Sequence, residues 1–283
     1  MGKKLEYFKF QNFLNPLGIL FHSLAIENLL TNAINQKKYT EADIFFLNEQ
    51  WHSYEAHSKL SNVSKDELLN NLNESIKSTH LQIKNSTHII ITLGTAWVYR
   101  HLESDIIVAN CHKVPQKQFV KELLSVEEVS ESLQAIASLI RIVNPKTAII
   151  FTVSPVRHLK DGFVENTQSK SHLIAGVHKL IEPRNHIHYF PSYEIMMDEL
   201  RDYRFYDDDM VHPNTAAINY IWERFQESWI AKEALKTMDE VDSIRKGMHH
   251  KPFNKESEAY RQFLQDLRSK QLKLQAQFPT ITF

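Results

Sequence analysis

The chain has 283 residues, 42% of them apolar, with 33 Lys and Arg against 34 Asp and Glu. That length builds one large α/β domain or two smaller ones, and a net charge near zero supplies no field drawing it to nucleic acid or to an anionic membrane. The single cysteine, Cys111, excludes an internal disulfide. The opening MGKKLEYFKFQNFL has neither the apolar run nor the cleavage site of a signal peptide. Glu6 stands where a myristoylation signal wants Ser or Thr. No stretch reaches the roughly 18 apolar residues of a membrane span. A soluble protein of a reducing compartment is expected. Fifteen histidines are many, but most are scattered through polar loops and read as composition.

In chain order, KKLEYFKF predicts a helix fragment with Leu5 and Phe8 on one face. NPLGILFHS is a loop with an Asn-Pro turn signal, and LAIENLLTNAINQK an amphipathic helix. DIFFLNEQWHSYEAHSKLS begins strand-like and breaks into a polar loop. Ser64, with Glu67 three residues on, caps the next helix in a capping box. His88 to Leu93 is a short, β-branched apolar run, the mark of a strand buried on both faces, ended by Gly94. SVEEVSESLQAIASLIRIVNP is a helix capped by Ser125 and Glu128 and stopped before Pro145. KTAIIFTVSPVRH is a second buried strand, TQSKSHLIAGVHKLI a helix, HIHYFPSYEIM a third strand candidate. NTAAINYIWERFQESWI is a helix with Trp222 on its apolar face. Strands alternating with helices predict an α/β sandwich with a mostly parallel sheet. Beyond about residue 230 the strands stop, and 255–277 reads as one long helix. Two parts are expected, 1–230 and a helical extension at 231–283.

Sites in parallel α/β sheets form beyond the carboxyl ends of strands. LGTAW, VSPVRH and DDDMVHPN are the segments expected there. Asp209 and His212, three apart on a turn, suit a general base and the carboxylate that fixes its tautomer, although a bare D-x-x-H is as well an exposed surface pair. Gly94 lets backbone amides approach an oxyanion, or merely serves the turn. Ser154 ends a strand, where Ser-Pro starting a turn is the simpler account. Arg157 and His158 are candidates for a substrate anion or for a solvated loop. Trp51, in one loop with His52 and His57, packs or stacks on a sugar. Asp207, Asp208, Asp209 and His212 offer hard ligands, and His186 and His188 share a strand face. With no H-E-x-x-H and no cysteine cluster, no metal or other cofactor is expected.

DMVHPN resembles the last block of the SGNH hydrolases, whose Asp-x-x-His completes a Ser-His-Asp triad. More specifically, NPLGIL, ITLGTAWVY, TVSPVRHLKDGFVENTQSK, YFPSYEIMMDELRDYRFYDDDMVHPN and HKPFN, in register over most of residues 10 to 255, resemble the GSCFA-domain proteins of Bacteroidetes. The resemblance implies a three-layer α/β/α fold, a cytoplasmic location and an ester hydrolase acting on an O-acyl group of a carbohydrate-type substrate. His212 would be its base, Asp209 the orienter and Gly94 an oxyanion contact. The Gly-Ser-Cys-Phe-Ala block that supplies the nucleophile in this resemblance does not occur in the 283 residues. The chain is therefore expected to be N-terminally truncated, poorly stable and inactive by the serine route. The third SGNH block usually carries an asparagine. Here Gly94-Thr95-Ala96-Trp97 has none, so Thr95 or a backbone amide would substitute, and Asn15 and Gly18 occupy roughly the second-block position. The rivals are a non-catalytic glycan- or surface-binding module using WHSYEAHS and SPVRHLK, and a metal-dependent hydrolase built on Asp207–His212.

Overall fold

A computed structural model describes residues 1–283. In chain order come α1 (Gly2–Tyr7), α2 (Ser23–Ile34), β1 (Phe45–Leu47), β2 (Gln50–His52), α3 (Lys65–Asn85) and β3 (His88–Leu93). Next are β4 (Trp97–His101), β5 (Ile106–Val108), β6 (Phe119–Leu123), α4 (Val126–Val143), β7 (Ala148–Val153) and α5 (Phe163–His178). Then follow β8 (Ile187–Tyr189), α6 (Ser192–Glu194) running into a π-turn at Ile195–Leu200, α7 (Thr215–Trp229), α8 (Lys232–His249) and α9 (Glu258–Gln277). The chain forms two compact units, Asn15–Ile221, and Met1–Leu14 with Trp222–Phe283.

The larger unit is a mixed α/β body around a parallel three-stranded sheet in the order β3-β7-β8. A second, antiparallel sheet has the order β5-β4-β6, and β1 and β2 form a hairpin. Asn48 and Glu49 both take φ near +50 to +60° at the hairpin's tip, as a tight turn that matches strand twist demands. Ile149, Phe151 and Val153 of β7 join Leu133, Ile136 and Ile140 of α4, Leu173 and Val177 of α5, and Leu30 and Ala33 of α2 in the main core. Ile150 is also buried, and Thr152 on that same other face bonds Ser192 of α6, so β7 is covered on both faces as its apolar run predicts. β3 differs. Ile91 and Leu93 face the core, but Thr92 is exposed. The strand lies at the sheet's edge, where its second face lacks the cover that β7 receives from α6, so an apolar run alone overstated its burial.

Ser125 and Glu128 close a reciprocal capping box as expected. At α3 only half of the expected box forms: Ser64 accepts from the Glu67 amide, but its own amide donates to Asn62 Oδ1 and the Glu67 carboxylate accepts from Asn62 Nδ2 instead. One cap was not foreseen. The His22 imidazole accepts the Ala25 amide at the start of α2 through Nδ1, while Nε2 faces the Val108 carbonyl. Gly176 lets α5 approach α4, since a Cβ there would stand 2.6 Å from Val129 Cγ1.

In the smaller unit, Val241, Ile244, Leu274 and Ile281 form a core between α8, α9 and the C-terminal segment. α1 belongs with it: Tyr7 donates to Asp242 at 2.7 Å, and Phe8 stacks on Trp222 at 5.7 Å. No helix of the chain is long and apolar enough to cross a membrane.

Candidate active site

The carboxyl ends of β3 and β7 lie side by side, and the ladder runs one residue past them, with Ser154 N donating to Leu93 O at 2.8 Å. Gly94 and Thr95 continue from β3; Ser154, Arg157 and His158 continue from β7. Gly94 is buried because two groups come close: a Cβ there would stand 3.2 Å from the Phe21 carbonyl and 3.4 Å from His158 Nε2.

Beneath these loops sits a residue the sequence reading passed over. Lys170 of α5 is 1% exposed, and its Nζ donates to Gly94 O and to Ser154 O, each at 2.7 Å. It thereby ties the ends of the two strands together. Burial drives its pKa down from 10.5 to about 7, because an ammonium loses its hydration there and the carbonyls only partly replace it. A signal was present: Lys170 lies at i and i+3 with Leu173, and i+7 with Val177, on the buried stripe of a helix.

The loop ahead of α7 brings Asp209 and His212 together. Asp209 Oδ1 accepts the amides of Val211 and His212 at 2.8 and 2.9 Å, and Oδ2 accepts His212 Nδ1 at 2.6 Å. The amide of His212, then its ring, then the amide of Val211 hold the Asp209 carboxyl down to about 2. An ionised carboxylate at Nδ1 places the proton there and leaves Nε2 as the basic nitrogen in the neutral ring. Both side chains are about half exposed. Asp207 N donates to His212 O, Met210 N donates to Asp207 O, and Met210 takes φ +58°, so the loop is a closed turn. Asn214 fastens its far end by donating to the carbonyls of Arg204 and Tyr206 and accepting from the Ala217 amide.

Arg157 joins the β7 loop to this turn: its amide donates to Val211 O at 3.2 Å and its Nη1 to Met210 O at 3.1 Å. The next residue, His158, is anchored by its amide to Asn166 Oδ1 at 2.8 Å and sets its ring edge-on to Phe21, 6.0 Å between centroids. Burial, then the Lys170 charge, lowers its pKa to about 4, with His212 acting in the same direction and Asp161 against it. His158 is therefore a neutral imidazole at ordinary pH.

The other residues singled out in the sequence are placed as follows. The amides of Gly94 and Thr95 both donate to Phe21 O, at 2.7 and 3.1 Å. The Thr95 hydroxyl is engaged with Ser169 and the Trp97 amide. None of these donors is open to an incoming oxyanion in this arrangement. Ser154 Oγ accepts the Val156 amide at 3.2 Å, the behaviour of a Ser-Pro turn. Asn15 and Gly18, with φ +44° and +78°, form a tight turn closed by Gly18 N to Asn15 O. A Cβ on Gly18 would meet His57 Cβ at 2.3 Å. That segment reaches the strand ends through Phe21. Trp51 lies in the β1–β2 hairpin against Phe46, with Lys65 over its ring, and is not grouped with the strand-end residues. No three of His, Cys, Asp and Glu converge as a metal-ligand set: Asp209 is paired with His212, while Asp207 and Asp208 are exposed.

No curated protein matches the chain. Family models do: residues 1–225 match the GSCFA family, and residues 241–283 match the GSCFA domain protein, C-terminal domain. With four-fifths of its length under those first residues and most of the remainder under the second, the chain belongs to the GSCFA family.

Proposed function

We propose that the chain carries the acid–base half of an SGNH-like ester hydrolase acting on an O-acyl group of a carbohydrate-type substrate. The observation that supports this is the Asp209–His212 pair, 2.6 Å between Oδ2 and Nδ1, held beside the carboxyl ends of a parallel sheet. In this reading His212 Nε2 removes the proton from an attacking hydroxyl and returns it to the leaving alcohol, while Asp209 steadies the imidazolium. The hydroxyl is that of a Gly-Ser-Cys turn. No such turn occurs in the 283 residues. Because the Gly94 and Thr95 amides are bound to Phe21 O, oxyanion stabilisation by them requires Phe21 to withdraw. A cytoplasmic site of action is part of the same proposal.

The test is hydrolysis of 4-nitrophenyl acetate and of an acetylated oligosaccharide by the chain joined to a Gly-Ser-Cys-Phe-Ala segment. Activity abolished by His212→Ala supports the reading, and activity indifferent to that change refutes it. For the 283 residues alone, no labelling by a serine-directed organophosphonate is expected; labelling would put the nucleophile at one of their own serines. A binding module is the second reading, favoured by the exposed rings of Phe163 and Tyr203, 70% and 60% accessible, in the neighbourhood of the pair.

A further inference from the structure

Arg157 is held more firmly than a surface arginine. Its guanidinium carbon lies 5.3 Å from the ring centroid of Tyr206, 5.7 Å from that of Tyr203 and 5.8 Å from that of Phe163. Its Nη1 donates to the Met210 carbonyl, and its backbone amide to Val211 O. Three aromatic rings and a carbonyl thus surround the guanidinium. A guanidinium has five N–H donors, and the bond to Met210 uses one of them on a neutral acceptor. Nothing in the arrangement neutralises the charge. Asp161, four residues on, is paired with Lys121, and Asp209, in the turn that Arg157 bonds, is engaged by three N–H donors of that turn. Asp207 and Asp208 are exposed, where water and salt screen their effect on a neighbouring anion.

An oriented, uncompensated guanidinium is a receptor for a carboxylate or phosphate, whose paired oxygens match its fork. The surroundings narrow the ligand further. Phe163, Tyr203 and Met210 are largely exposed, so apolar and aromatic surface beside the guanidinium is open to the ring of a ligand. We propose that Arg157, with Phe163 and Tyr203, forms a binding site for an acidic saccharide, one whose carboxylate or phosphate pairs with the guanidinium while its ring lies on the aromatic faces. The site adjoins Asp209 and His212 through Met210 and Val211, so a bound saccharide would be held next to the imidazole. The carbohydrate half of this inference rests on the substrate class proposed above; the anion half does not.

The experiment is a calorimetric or NMR titration of the full 283-residue chain with glucuronate, glucose 6-phosphate, glucose, acetate and inorganic phosphate, at low and at physiological salt. Glucuronate or glucose 6-phosphate should saturate the protein at least tenfold more tightly than glucose, and more tightly than acetate or inorganic phosphate. The preferred acid separates the carboxylate source from the phosphate source. Arg157→Gln should weaken it at least tenfold, Arg157→Lys less, and Tyr203→Ala should weaken the sugar acids while leaving the free anions unchanged. Because Arg157→Gln also removes the bond to Met210, Arg157→Lys and Tyr203→Ala keep the test meaningful if the loop is disturbed. Absence of saturable binding, glucose binding as tight as the acids, or Arg157→Gln binding like the wild type would each overturn the proposal. Equal binding of inorganic phosphate and glucose 6-phosphate, unaffected by Tyr203→Ala, would overturn the saccharide assignment. The titration reads binding without any turnover, so a failure of the hydrolase reading and a failure of this one are separable.

Discussion

Lys170→Met is the perturbation whose outcome is fixed most tightly by the structure. The lysine is buried and its pKa falls from 10.5 to about 7. Between those values the unfolded chain holds a proton that the folded chain does not. Stability therefore rises with pH across that window, and the penalty is fully present below pH 7. At about 1.4 kcal/mol per pH unit, the rise amounts to roughly 5 kcal/mol over the whole window, and more than half of it is complete by pH ~9. The Tyr193 ring, 5.7 Å from Nζ, favours the charged form, but such a contact contributes only about 0.5–2 kcal/mol and loses to desolvation. The folded state tolerates the neutral amine because an amine keeps two N–H donors, the number needed for Gly94 O and Ser154 O. Methionine removes both donors, leaving two carbonyls unpaired at about 1–3 kcal/mol each, and abolishes the titration. Urea unfolding of both proteins from pH ~6 to ~10 measures the difference. Other groups that titrate there, including Cys111, are common to both chains and cancel. The wild type minus variant difference should climb by several kcal/mol with pH. A difference flat to within about 1 kcal/mol would show that Lys170 stays protonated in the fold, and the desolvation argument would fail.

Acid should destabilise the chain before its carboxylates titrate. Burial holds His22 and His112 at about 4, so between pH 6.5 and 4 the unfolded state gains protons that the folded state refuses, at roughly 3 kcal/mol for each ring. His22→Asn, which can still cap α2, should unfold at lower pH than the wild type in a circular-dichroism titration; an unchanged midpoint would count against the burial argument. Gly176→Ala should lower stability by about 1–3 kcal/mol despite alanine's helix advantage of about 1 kcal/mol, because the added Cβ meets Val129 at 2.6 Å; thermal unfolding reads it, and a gain in stability would show that α4 and α5 separate freely. Asp209→Asn in the chain joined to a Gly-Ser-Cys-Phe-Ala segment should keep the fold and lower kcat/KM by about 10²–10⁴-fold; an effect under threefold would remove Asp209 from the proposed mechanism.

The local order of this protein was legible in its residues. Ser64 and Ser125 named their own caps, the apolar run of 148–153 named its strand, and the spacing of Asp209 and His212 named a pair that closes within a single turn. Each rests on interactions between residues a few positions apart, which the sequence carries directly. What the neighbours of β3 leave uncovered, that Phe21 O occupies the Gly94 and Thr95 amides, and that three rings frame Arg157 depend on contacts across tens of residues. Spacing along the chain does not encode those contacts, because they arise only when helices and strands dock. Lys170 stands between the two cases. Its place on a buried helical stripe could be read from sequence, but only the meeting of β3 and β7 supplied two carbonyls that make a buried lysine tolerable.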